Sequence, residues 1–258
     1  MAYCTCLENT HTFTGIVGSN PTLSASLETF MKRILFAILI ILVLLGATLM
    51  LGNLLGEDLK DKAIAIGYFS AATYSLLFGL LLKKNLQKIS TNFTDKKLLF
   101  TIYGSIGAIF LDTVVWWAQT ALNTEEAAIS PNLWIDLFMT VPFYVLLCYF
   151  LSGLVTKYKF SWVTIALTGG FYEIIADGII GNLIGLNILG VLISPILFPI
   201  FIIVYSPIIL VPFLLLPPNP DLAKNSVKKD FLALLKPVKA VLIFPFSIGL
   251  GLLLEKLF

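Results

Sequence analysis

Seven stretches of the chain are apolar over about the 20 residues that a membrane-crossing helix requires: residues 34–55, 63–82, 98–122, 133–155, 161–180, 188–216 and 238–254. The first is interrupted only by Gly46, Thr48, Gly52 and Asn53. It is longer than the apolar region of a signal peptide and lacks a small-residue cleavage site, so it reads as an uncleaved helix. The fifth and sixth stretches are poorly separated. Between Lys159 and Asp221 the only charges are Glu173 and Asp177, and a break is expected between Gly181-Asn182 and Gly190. Pro195, Pro199, Pro207 and Pro212 each remove a backbone donor from the sixth stretch, which predicts a Pro-kinked or broken helix. Carbonyls freed in this way bind cations only where they line a protein cavity, and Tyr205 and Ser206 would add polar groups there.

Composition agrees with this pattern. The chain is 58% hydrophobic and 12% charged, with a mean hydropathy of +0.95. A soluble domain has about 45–50% apolar and about 25% charged residues. So little charge cannot cover a water-soluble globule, which excludes cytosolic enzymes, nucleic-acid binders, disulfide scaffolds and disordered tails. The lone histidine, His11, rules out a histidine-built metal or haem site inside the membrane. Cys4 and Cys6 are spaced too closely for a zinc pair, and Cys148 lies in an apolar run. No cofactor and no metal are expected.

Residues 1–30 are polar and stand apart as a leader to a single transmembrane domain of residues 31–258. Gly18-Ser19-Asn20-Pro21 can be encoded by GGT-TCG-AAT-CCN, the common T-arm sequence of transfer RNA genes. The segment is expected to be an upstream extension of the reading frame, with Met31 as the natural start. A polar tail is the alternative.

Charge position sets the expected topology. Lysines and arginines accumulate on cytoplasmic loops. Counted over alternate loops, fourteen of the 17 fall on one side and three on the other. The expectation is an all-α polytopic membrane protein of the cell membrane, with about seven transmembrane helices and a cytoplasmic N-terminus. Pro217-Pro218-Asn219-Pro220 would end the sixth helix. The basic and apolar residues between Val227 and Lys239 would then lie at the lipid interface. Trp134 and Trp162 fit interfacial belts. Residues 241–254 hold no lysine, so a retinal Schiff base in the last helix is excluded.

Four acids remain inside the spans: Asp112, Asp136, Glu173 and Asp177. An ionisable group at a helix centre costs about 2.5–3.5 kcal/mol on insertion scales, so such residues mark function by default. Asp112 lies 15 residues after Lys97 and Glu173 lies 14 after Lys159, or about 21–23 Å from the cytoplasmic flank at about 1.5 Å per residue. Asp136 falls near the outer interface, where a solvated aspartate is the ordinary reading. Ser105, Asp112 and Gln119 form a seven-residue stripe, with Trp116 one turn above the acid. Gly169, Glu173, Asp177 and Gly181 recur every four residues, and glycines on that face would admit a neighbouring backbone. Two carboxylates four apart repel when both ionise, so at least one is expected to carry a proton.

Asp112, Glu173 and Asp177 are therefore the candidate proton or cation site. Ser105, Trp116, Gln119, Asp136, Asn182 and Tyr205 are secondary pocket candidates. The leading expectation is a carrier for a small molecule or cation. One rival is an intramembrane enzyme on a lipid or isoprenoid, with a carboxylic general acid and Trp116 and Trp117 facing a carbocation. Another is a non-catalytic subunit whose acids meet a membrane-protein partner. Membrane lipids are expected partners in every case.

Overall fold

A computed structural model of the chain describes residues 21–124, 128–216, 235, 238, 240 and 244–255. The leader up to residue 20, the 217–220 proline cluster and, but for Leu235 and Val238, the basic segment at 227–239 lie outside the described residues. Among the described residues the secondary structure is helical, with no strand: α1 (Pro21–Leu55), α2 (Leu59–Leu76), α3 (Lys83–Asn92), α4 (Lys96–Leu122), α5 (Leu133–Val155), α6 (Trp162–Glu173), α7 (Asn182–Ile184), α8 (Ile188–Ile193), α9 (Phe198–Leu215) and α10 (Phe244–Glu255). Among the described residues, five stretches are long and apolar enough to cross a membrane: Arg33–Leu55, Lys96–Leu122, Leu133–Val155, Trp162–Ile184 and Ile188–Leu215. Helix α2 is not among them, since Lys60, Asp61 and Lys62 occupy its first turn.

Short polar residues start these helices by satisfying backbone N–H groups that have no partner within the helix. Asp95 accepts from the backbone N–H groups of Lys97 and Leu98 at 2.9 and 3.0 Å and opens α4. Asn132 accepts from Trp134 at 3.0 Å and opens α5. Ser161 accepts from Thr164 at 3.0 Å and opens α6. Helix α4 ends at Asn123, whose φ of 51° is the left-handed conformation that asparagine tolerates.

The ends of α1 differ from the sequence pattern. Its helix begins at Pro21, ten residues before Met31, with proline at a position where its missing N–H costs nothing. Residues 21–30 are helical and continuous with the first apolar helix.

Two π-helical stretches interrupt the α pattern, Leu77–Leu81 after α2 and Ile174–Gly181 after α6. The break between the fifth and sixth apolar stretches falls at Gly185–Asn187, where Leu186 adopts a left-handed φ of 54°. Beyond it a 3-10 turn, Ser194–Leu197, divides α8 from α9. Pro207 and Pro212 lie inside α9, which continues to Leu215.

Helix α9 occupies the centre and packs against α1, α2, α4 and α6. Helix α5 lies between α4 and α10. Close approach at α6–α9 depends on two glycines: a Cβ on Gly169 would lie 2.6 Å from Ser206 Cα, and one on Gly170 would lie 2.9 Å from Ile202 N. The Ser206 hydroxyl donates to the Ala166 carbonyl across the same seam. The main core joins Phe100, Phe143, Cys148, Leu151, Tyr172 and Ile208.

Candidate functional site

Five helical elements contribute polar side chains to one region of this apolar interior. Glu173, the last residue of α6, is buried at 3% exposure. Its carboxyl accepts a hydrogen bond from the Tyr144 hydroxyl of α5, which lies 3.4 Å from Oε1 and 3.3 Å from Oε2. The Tyr205 hydroxyl of α9 is a second donor to the same carboxyl. The two tyrosine rings stack with centroids 6.1 Å apart and planes inclined by 15°. Tyr68 of α2 lies within electrostatic range of Glu173 and Asp177.

The three leading acids share this region. Glu173 interacts electrostatically with Asp177 and Asp112, and Asp112 with Asp177. Among the described residues, none of these three acids is paired with a lysine or arginine. Asp177, on the π-helical turn after α6, is exposed. Glu173 is therefore the enclosed member of the group and Asp177 the open one.

Asp112 is tied to α5: Thr140 Oγ1 lies 2.5 Å from Asp112 Oδ2 and 3.0 Å from the Asp136 carbonyl. Among the described residues, no group of three or more histidine, cysteine or acidic side chains is arranged to hold a metal ion.

The π-helix changes the glycine pattern on the fifth apolar stretch. A π turn takes in an extra residue and rotates the downstream residues relative to an α-helix. Gly169 and Gly170 contact α9, and beyond the start of the π turn the close-packed glycine is Gly178, whose Cβ would lie 2.8 Å from Ser194 Cβ. Gly181, expected on that seam, meets only atoms of its own helix at 3.5 Å and beyond. The Ser194 hydroxyl donates to the Gly178 carbonyl at 2.5 Å and fixes the displaced register.

The secondary candidates divide. Tyr205 joins the acids. Ser105 donates back along its own helix to the Thr101 carbonyl at 2.8 Å. Asn182 braces the α7–α8 turn, donating to the Gly178 carbonyl at 2.8 Å and accepting from Asn187 at 2.9 Å. Trp116, Gln119 and Asp136 instead organise the α4–α5 connection. Trp116 Nε1 donates to the Pro131 carbonyl at 2.8 Å, and Gln119 Oε1 accepts from Ala128 N at 2.7 Å. Asp136 Oδ1 accepts from Ile129 N at 2.8 Å and Ser130 N at 3.2 Å. The expectation of a solvated Asp136 is corrected: at 3% exposure it is buried, because two backbone N–H groups replace its water. Trp116 is held by the connection, and Trp117 is 61% exposed.

Tyr68 and Tyr144 did not stand out in the sequence, where a tyrosine in an apolar run reads as packing. A signal for Tyr144 does exist: Asp136, Thr140 and Tyr144 recur every four residues on α5.

No protein-family model matches the chain, and no curated protein or solved structure is similar to it.

Proposed function

We propose that the chain is a multi-pass carrier of the cell membrane that couples passage of a small molecule to a proton held by Glu173, Asp177 and Asp112. The observation that carries this reading is the convergence of Tyr68, Asp112, Tyr144, Glu173, Asp177 and Tyr205 from five helical elements on one polar region, with no cation paired to the acids among the described residues. Packing alone gives no reason to bring three acids together, since each costs about 2.5–3.5 kcal/mol at a helix centre. Hydroxyl and carboxyl groups in mutual range are suited to passing a proton. The open Asp177 and the enclosed Glu173 supply an entry group and a storage group.

The carrier reading includes seven crossings: the five long apolar stretches, Leu59–Leu81 and the C-terminal helix. Fourteen of the 17 basic residues then mark the cytoplasmic side, and the N-terminus is cytoplasmic.

Proteoliposomes loaded with buffer at one pH and diluted into another test the reading. Substrate-dependent proton movement is expected in the wild type and lost in Glu173→Gln, while Glu173→Asp retains part of it. Uptake driven by sodium and indifferent to pH would replace the proton with a metal cation. Uptake unchanged by Glu173→Gln would remove the carboxyl cluster from the mechanism.

A further inference from the structure

Helix α3 and its flanks carry Lys83, Lys84, Lys88, Lys96 and Lys97, and the carrier site uses none of them. None of the five side chains forms a hydrogen bond or ion pair with another described residue. Helix α3 sits at the end of the bundle rather than inside it. Gln87 Nε2 donates at 2.8 Å to the carbonyl of Leu214, in the last turn of α9. That carbonyl has no partner within its own helix, so α3 caps the membrane-spanning segment where the segment ends. Leu86 packs onto the cluster of Tyr74, Val211 and Leu215, and Ser90 is buried.

Ile89 within α3, and Leu82 and Phe93 at its two ends, stay 50%, 39% and 42% exposed. At about 3.6 residues per turn Lys84 and Lys88 lie on another side of the helix from Ile89 and are exposed. A helix held at a span's end, with an uncovered apolar edge and an unpaired basic face, has the amphipathic form of an interfacial segment.

We infer that α3 is an interfacial helix that binds anionic phospholipid, with Leu82, Ile89 and Phe93 set into the acyl boundary and Lys84 and Lys88 on headgroup phosphates. Zwitterionic lipid satisfies the apolar edge equally well but leaves the lysines without net countercharge, so the preference lies in the headgroup. This inference is independent of the carrier reading.

The full-length protein, purified in detergent and mixed with equimolar phosphatidylglycerol and phosphatidylcholine, provides the test through native mass spectrometry of the lipid it retains. Each lysine near an anionic surface contributes enough that losing two lowers retention about tenfold or more. The wild type is expected to retain phosphatidylglycerol preferentially. Lys84→Gln with Lys88→Gln removes the preference, and Lys84→Arg with Lys88→Arg keeps it. Lys157→Gln with Lys159→Gln, a second exposed basic pair away from α3, leaves it intact. Equal retention of the two lipids by the wild type overturns the inference, as does an equal loss in the two glutamine variants.

Discussion

Thr140 on α5 holds Asp112 on α4 through a 2.5 Å contact between Oγ1 and Oδ2, while the same hydroxyl lies 3.0 Å from the Asp136 carbonyl. A hydroxyl has a single proton to donate. If that proton takes the usual path along the helix to the carbonyl four residues back, the contact with Asp112 is completed by a proton on the carboxyl. Asparagine presents an N–H donor at the same place. Asp112→Asn is accordingly expected to keep the wild-type thermal midpoint in detergent. Thr140→Val, which removes both bonds, is expected to cost about 0.5–1.5 kcal/mol, the range of interhelical hydrogen bonds in membranes. An Asp112→Asn variant as unstable as Asp112→Ala would show that the carboxylate is needed in its charged form.

The tyrosines on Glu173 give a different expectation. Tyr144→Phe and Tyr205→Phe each remove one donor from a buried carboxyl and leave the ring stack in place. Each is expected to slow proton-coupled uptake by about tenfold, equivalent to roughly 1.4 kcal/mol in the transfer step. The double variant is expected to fall well below the product of the two, because the carboxyl then has no donor. Proton flux in proteoliposomes measures this directly. Single variants that alter the Tm but not the rate would assign the tyrosines to packing.

Much of the bundle was legible in the sequence because its apolar stretches are uninterrupted. The 133–155 stretch coincides with α5, and the 98–122 stretch lies within two residues of α4. The 188–216 stretch matches the span Ile188–Leu215 to within one residue. The acids were legible for the complementary reason that charge inside such a stretch is rare. The π-helix at Ile174–Gly181 was not legible, since its register depends on Gly178 meeting Ser194 from a segment that folds back after the turn. Helical spacing places Trp116, Gln119 and Asp136 near Asp112. It does not reveal that residues 128–131, just before α5, present their backbone to them.

The glycine seam between α6 and α9 makes a sharp stability prediction. A methyl group on Gly169 would lie 2.6 Å from Ser206 Cα and 3.0 Å from Ser206 N, both backbone atoms that cannot rotate away. Gly169→Ala should destabilise the protein by about 1–3 kcal/mol, the usual cost of overpacking. Gly153, where an added Cβ meets nothing within 4 Å, is the control. Gly153→Ala should be neutral or slightly stabilising, as alanine favours the helix. Thermal unfolding of the two variants side by side measures the difference. Equal midpoints would mean that α6 and α9 do not pack at this distance.

Asp136 separates structure from transport. Its carboxylate holds the backbone N–H groups of Ile129 and Ser130, and it stands one helical turn from Thr140 rather than among the tyrosines. Removing the acceptor takes the partner from the buried Ser130 N–H bond and from the part-buried Ile129 one, at about 1–3 kcal/mol for a buried group left unsatisfied. Asp136→Ala should lower the thermal midpoint and speed protease cleavage between residues 123 and 132. Asp136→Asn keeps the Oδ1 that accepts from both N–H groups and should lose much less. Both variants should carry out proton-coupled uptake at the wild-type rate at temperatures where they remain folded. This sets Asp136 apart from Glu173, whose glutamine variant is expected to stay folded and lose coupling. A folded Asp136→Asn protein without coupled uptake would extend the proton path to the outer end of α5 and make the Asp112–Thr140–Asp136 contacts part of it.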